Sequence, residues 1–233
     1  MTKLSMEYAE KNLDWNGNAG QRLDELSRAL PRSPRLELTI FGSAPLQLLV
    51  EKNFLSEDID ISPTEDAYDL VTKIVEEKGW AKGQSDFYIQ VCDHLAFRTT
   101  TDWLARSIQV KRHGHLFIFP HPWDVLVSKL QRLDPKDIQA FKMVIQQTGH
   151  PTEEEFAEHL QNAVDLYRPK FDEETSRGDM LMNTKILWKE LWNKEIDVRT
   201  AIIRPALERI RHDYEPDPNL KTRLANLKLP GEK

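Results

Sequence analysis

A single cysteine, Cys92, stands in 233 residues, so no internal disulfide can form. No uninterrupted apolar run approaches the roughly 20 residues that span a bilayer, which sets a membrane-spanning protein aside. The first residues, Met1-Thr2-Lys3-Leu4-Ser5-Met6-Glu7, lack the apolar core of a secretory signal, and a cytoplasmic location is the expectation. Positive charge is also short. A net charge of -6 argues against a chain that holds nucleic acid by overall electrostatics alone. Internal repeats and low-complexity tracts are missing as well. What is present, 39% hydrophobic against 30% charged residues, is the balance of an ordinary folded protein, long enough for one large domain or two small ones.

Hydrophobic periodicity divides the chain into a mixed first half and a helical second half. Leu23, Leu26 and Leu30 recur at spacings of three and four, which predicts a helix over Ala19 to Leu30 that Pro31 and Pro34 end. Leu36 to Phe41 reads as a strand, Ala44 to Val50 as a helix, and a second strand begins at Asp58. A helix near Ala67 to Glu77 follows, then strands at Phe87 to Cys92, Ser107 to Lys111 and Leu116 to Phe119, the last two turning at Gly114. From Pro122 onward the pattern is helical: one helix with Leu126, Leu130 and Leu133, one from Pro135 to near Gly149, one capped by Thr152 and running to about Tyr167, and two or three more within residues 181 to 228. Residues 168 to 180 are polar and read as a loop. The expectation is an α+β chain, with an α/β domain over residues 1–121 carrying an N-terminal helix and a helical domain over residues 122–233.

The chemistry-bearing feature is Gly42-Ser43 followed by Asp58-Ile59-Asp60. Alternation along a strand puts both aspartates on one face and Ile59 and Ile61 on the other. Two adjacent carboxylates repel, and a cation with oxygen preference, Mg2+ above all, relieves them. A glycine at the strand end lets a phosphate group approach the backbone, where the Ser43 hydroxyl and a helix N-terminus offer donors. The plainer alternative is a solvent-facing edge strand beside an ordinary turn.

The order of strand, Gly-Ser, helix and spaced Asp-x-Asp resembles the nucleotidyltransferase superfamily. That resemblance implies a mixed sheet flanked by helices, followed by a C-terminal helical region. It also implies Asp58 and Asp60 as ligands of Mg2+ (or Mn2+), and Gly42 and Ser43 as the element that holds a nucleoside triphosphate. Downstream, Pro122-Trp123-Asp124-Val125-Leu126-Val127-Ser128-Lys129-Leu130 and Pro135-Lys136-Asp137-Ile138 look like the abortive-infection toxin branch, which carries a lysine on one helix and a Lys-Asp pair opening the next. By that likeness Lys129 and Asp137 are the functional lysine and acid, the acceptor is RNA or protein, and an antitoxin protein is the expected partner. The resemblance covers roughly residues 36 to 148.

The superfamily's third acid belongs on a later strand, here Phe87-Tyr88-Ile89-Gln90-Val91-Cys92-Asp93. Gln90 occupies its centre and Asp93 its end. With Asp93 as the third metal ligand the chain is an enzyme; with Gln90 in that position it is a catalytically silent module that binds nucleotide or protein. The segment from Arg98 to His115 concentrates Arg98, Arg106, Lys111 and Arg112 against Asp102, which makes Arg98 a candidate for triphosphate and the segment a candidate for an RNA backbone, or else a solvated hairpin. His113, His115 and His121 lack the ligand spacing of a zinc site. Cys92 reads as a packed thiol rather than a nucleophile, and Trp188 and Trp192 as core or interface. Arg199, Arg204, Arg209 and Arg211 in the tail are suited to RNA phosphates or partner carboxylates.

Overall fold

The computed structural model describes residues 8–54, 56–168 and 178–213, and for His94 the main chain only. Five strands form one mixed sheet: β1 (Glu37–Phe41), β2 (Asp58–Pro63), β3 (Tyr88–Val91), β4 (Ile108–Arg112) and β5 (His115–Phe119). Their order is β3-β2-β1-β5-β4. β1 lies antiparallel to β2 and parallel to β5, β2 is parallel to β3, and β4 and β5 close an antiparallel hairpin.

Three helices, α1 (Asn18–Ala29), α2 (Ala44–Leu49) and α3 (Tyr68–Glu77), accompany the sheet. Leu23 and Leu26 of α1 bury the stripe their spacing foretold, and Val71 and Val75 of α3 join them, with Leu70 and Ile74 partly buried, against Leu38, Ile40, Ile59, Ile61, Ile89, Phe117 and Phe119. Alternation then has a direct consequence. Ile59 and Ile61 are fully buried on the core face, so Asp58 and Asp60 emerge on the opposite one.

Among the described residues five α-helices follow: α4 (Pro122–Leu130), α5 (Pro135–Thr148), α6 (Glu153–Leu160), α7 (Met180–Trp192) and α8 (Arg204–Asp213). They surround a second apolar cluster that includes Leu126, Phe141, Phe156, Leu187 and Trp188, and Leu46 of α2 belongs to it. Trp188 is fully buried and packs on Phe156 and Trp192, the structural role read for this pair. Thr152 caps α6 in a reciprocal capping box with Glu155, and Gly149 ends α5 at a φ of 74°.

Two departures from the expected helices have local causes. The helix read from Thr152 to Tyr167 breaks after Leu160 into a 3-10 stretch, Gln161–Tyr167, with non-helical angles at Ala163. There the carbonyl of Asn162 leaves the helical ladder to accept from the Thr101 N–H at 2.9 Å. Before α8 the chain widens into a π turn, Arg199–Ile203. Pro205 has no N–H for the carbonyl of Ala201, which accepts instead from Gln161 Nε2 at 3.5 Å. Of the expected loop, residues 169–177 lie outside the described residues, as does everything after residue 213, including the last of the tail's expected helices.

A buried polar network ties the sheet's loops to the helices. Asp124 on α4, fully buried, accepts from Thr100 Oγ1 at 2.6 Å and from Arg106 through Nε at 3.2 Å and a terminal nitrogen at 2.9 Å, while His159 of α6 lies 3.2 Å away. Burial alone would raise its pKa, but His159 and Arg106 outweigh that and bring it to about 2. Thr100→Val removes two charge-assisted hydrogen bonds, the one donated to Asp124 and the one accepted from Arg106 at 2.6 Å, and is expected to cost about 2 kcal/mol or more in urea unfolding. Because the Asp124 carboxyl is depressed, its contribution is present above the ordinary aspartate range and is lost as pH falls through about 2.

Candidate active site

β1 ends at Phe41 and the chain turns at Gly42, with φ at 67°, into Ser43 and the first turn of α2. Phe41 stands opposite Asp60 in the ladder, which brings the Asp60 carboxylate over the turn. A Cβ on Gly42 would lie 2.1 Å from Asp60 Oδ2. Glycine is therefore demanded twice here, by the left-handed backbone and by the carboxylate that fills its side-chain space. Gly42→Ala is expected to cost about 2 kcal/mol or more, read as a lower urea midpoint, because the strained backbone and the displaced carboxylate add.

These residues line a cleft of about 650 Å³ on the face of the sheet turned away from the α1–α3 core. Asp58, Asp60, Glu57, Ser56 and Tyr88 form one wall; Arg98, Ser128, Lys129, Gln131, Arg132, Lys136 and Gln139 form the other, with Gly42 and Ser43 at the floor. Acids thus face cations across a gap open to solvent.

On the acidic wall Asp58 is held from both sides. Ser56 Oγ donates to its Oδ1 at 3.1 Å, and the Tyr88 hydroxyl, from the neighbouring strand, donates to its Oδ2 at 3.3 Å. Asp60 is raised to about 6, chiefly by burial and next by the charge of Asp58, against the pull of Lys129 and Arg132. Cys92 Sγ approaches Asp60 Oδ1 at 3.9 Å; burial and the Asp60 charge push this half-buried thiol up to about 11, so it stays protonated and is no nucleophile at neutral pH.

The cationic wall is organised by Asp137, which is fully buried at the start of α5. Its carboxylate takes a two-pronged contact from Arg132, at 2.9 and 2.8 Å, and the ammonium of Lys129 at 3.3 Å. Lys129, only 8% exposed, also donates to Ser43 Oγ at 3.0 Å. Burial lowers the lysine's pKa and Asp137 restores part of it. In Asp137 burial is outweighed by the Arg132 fork and by Lys129, which leaves its pKa lowered. The cations are thus fixed in place before any ligand arrives.

Gln90 is the residue in register with Asp60 on the parallel neighbour β3, and it is exposed. Asp93 lies beyond the end of that strand, where its carboxylate accepts from the Leu95 N–H at 2.7 Å and starts the turn His94–Ala96. Two hard oxygen donors on one strand, one carrying a pKa near 6 through burial and like charge, are a donor set that fits a divalent cation such as Mg2+. Among the described residues no group of three His, Cys, Asp or Glu side chains forms a self-sufficient cage.

Of the basic segment after β3, Arg98 reaches the cleft, while Arg106 is committed to Asp124 and Asp102, and Arg112 to Asp24 and the face of Trp15. The histidines serve the fold: His115 Nδ1 accepts from the Leu36 N–H and His121 Nδ1 from the Trp123 N–H. Ser56, Tyr88 and Arg132 were not singled out from sequence, and Lys136 entered only as the lysine of the Lys-Asp pair. Arg132 lies in the turn just past the end of α4, where no helical spacing ties it to Lys129.

Residues 21–150 match the model of a family described as nucleotidyltransferase of unknown function, DUF6036. No curated protein and no solved structure matches the chain. The matched span contains the Gly-Ser turn, both strand aspartates and the Lys129–Asp137 wall, and this chain belongs to that nucleotidyltransferase family.

Proposed function

We propose that the protein is a Mg2+-dependent nucleotidyltransferase that moves a nucleotidyl group from a nucleoside triphosphate to an RNA or protein acceptor, as the toxin of a toxin–antitoxin pair. The observation that carries the reading is the opposition of the Asp58–Asp60 pair to Lys129 and Arg132 across one cleft floored by Gly42 and Ser43. Asp58 and Asp60 would hold Mg2+ or Mn2+, which supplies neutralisation of the phosphate oxygens and of the attacking oxygen when bound. Gly42 leaves room for phosphate at the backbone. The Ser43 hydroxyl, oriented by Lys129, and the ammonium itself donate to phosphate oxygens, and Lys129 with Arg132 stabilises the charge that gathers on the leaving pyrophosphate. Asp137 orients both cations. Arg98 adds a further cation to the lining of the same cleft, for a phosphate of the nucleotide or of the acceptor. The toxin role and the antitoxin partner rest on the sequence likeness of the Lys129 and Lys136-Asp137 segments.

Gln90 beside Asp60 favours a second reading, a silent module that binds nucleotide without turning it over. Incubation of the purified chain with each α-labelled triphosphate, Mg2+ or Mn2+, and total RNA or lysate separates the two. Metal-dependent label on an acceptor is expected of the enzyme. Triphosphate binding with no label on any acceptor would establish the silent module instead.

A further inference from the structure

Resting on that reading, we infer that the protein nucleotidylylates itself on Tyr88. The cleft has a direction. Lys129, Arg132 and Ser43 gather beside Gly42, and Asp60 is the acid that overlies that glycine. Asp58 lies two residues farther along β2, and Tyr88 stands opposite Asp58 in the β2–β3 register. A triphosphate whose β- and γ-phosphates meet the cations thus turns its α-phosphorus toward the aspartates. In-line displacement then requires the attacking oxygen on the side away from the leaving pyrophosphate, which is the end that Tyr88 and Ser56 occupy.

The Tyr88 hydroxyl is already seated for attack. It lines the cleft and donates its hydrogen to Asp58 Oδ2 at 3.3 Å, which leaves the oxygen lone pairs free to face the α-phosphorus. Its ring is braced by the Lys82 ammonium, 5.8 Å from the ring centroid. Ser56 is worse placed. Its one hydrogen is divided between the carboxylate and the main-chain carbonyl of Asp58, at 3.1 and 3.0 Å, within its own turn. An incoming hydroxyl would have to displace Tyr88 from Asp58.

The step balances without a further reactant. The phenolic oxygen bonds to the α-phosphorus and the bond from that phosphorus to the α,β-bridging oxygen breaks. Pyrophosphate departs with the electron pair, and the phenolic proton passes to water. The product is a phosphodiester that places a nucleotide across the acceptor end of the cleft, where it excludes a second substrate. Self-modification would therefore silence transfer to other acceptors.

The experiment uses the full chain without added acceptor, with each α-labelled triphosphate and Mg2+ or Mn2+, followed by peptide mapping by mass spectrometry. Binding of Mn2+ with a non-hydrolysable triphosphate is measured on the same samples. Label on the peptide that contains Tyr88 is expected, with a half-time unchanged on dilution. Tyr88→Phe should lose that label and keep triphosphate binding. A wild type that binds triphosphate or labels RNA yet leaves Tyr88 unmodified overturns the inference and spares the underlying function. So does label that persists in Tyr88→Phe, sits on another residue, or slows on dilution. A wild type that neither binds Mn2+ with triphosphate nor labels anything overturns both.

Discussion

Replacing Asp58 and Asp60 together with asparagine is expected to lower nucleotidyl transfer by roughly 10³-fold or more, because loss of the metal forfeits several kcal/mol of charge stabilisation and each 1.36 kcal/mol is tenfold in rate. The same change should stabilise the metal-free protein. Asp60 sits beside Asp58 with its pKa raised to about 6 by burial and by that neighbour, so above this pH the folded state carries a cost, of burying the charge and of repulsion, that the unfolded chain does not. The sign follows from linkage: a carboxyl that binds its proton more tightly in the folded state gives back stability as pH falls from about 6 toward the ordinary aspartate range. Asparagine at both positions removes that cost at neutral pH. Thermal unfolding without metal at pH 7.5 and a transfer assay with Mg2+ should therefore move in opposite directions. Loss of activity together with a lower melting temperature would instead mark the two aspartates as parts of the fold.

Lys129→Met is expected to reduce transfer by about 10²- to 10³-fold, the usual effect of removing a fixed donor from developing charge. Stability should change little. Asp137 keeps the paired contact from Arg132, at 2.9 and 2.8 Å, so its buried carboxylate is not left without a cation, and methionine fills much of the lysine's volume. Asp137→Ala is a different case: it leaves Lys129, 8% exposed, without its counter-ion and frees Arg132. Urea unfolding alongside kinetics separates the two. A Lys129→Met protein with unaltered transfer would remove the lysine from the chemistry.

Much of this arrangement was legible in the sequence because it is local. Alternation in Asp58-Ile59-Asp60-Ile61 assigned the faces of β2, and the isoleucines are indeed the buried pair. Gly42 was recognisable as a backbone device, although its closeness to Asp60 depends on the antiparallel register of β1 and β2, which no local pattern encodes. Register also set the residue beside Asp60: the sequence offered Gln90 and Asp93, and parallel pairing with β3 brings Gln90 there. The Tyr88 contact with Asp58 spans 30 residues and the Lys129 contact with Ser43 spans 86, so each waits on tertiary packing. Arg106 read as part of a basic surface because its buried partner, Asp124, meets it only once α4 is laid against the loop before β4, although Asp102, four residues before it, lay within local reach. The helix after Thr152 was read too long for a similar reason, since the pull of Thr101 on the Asn162 carbonyl is invisible to helical periodicity.

On the proposed function Asp58 and Asp60 together engage a divalent cation in company with a nucleoside triphosphate, a binding event separate from transfer. Its most direct test is titration with Mn2+ followed by electron paramagnetic resonance, in the presence of a non-hydrolysable triphosphate, on the wild type and on Asp58→Asn with Asp60→Asn. Beyond the Mn2+ that the analogue chelates by itself, protein-bound Mn2+ is expected for the wild type at pH 7.5, weakening as pH falls through about 6 because Asp60 then takes up a proton in competition. The double variant should leave that Mn2+ unbound. Equal binding by both proteins, or a wild type that binds none, would contradict the claim.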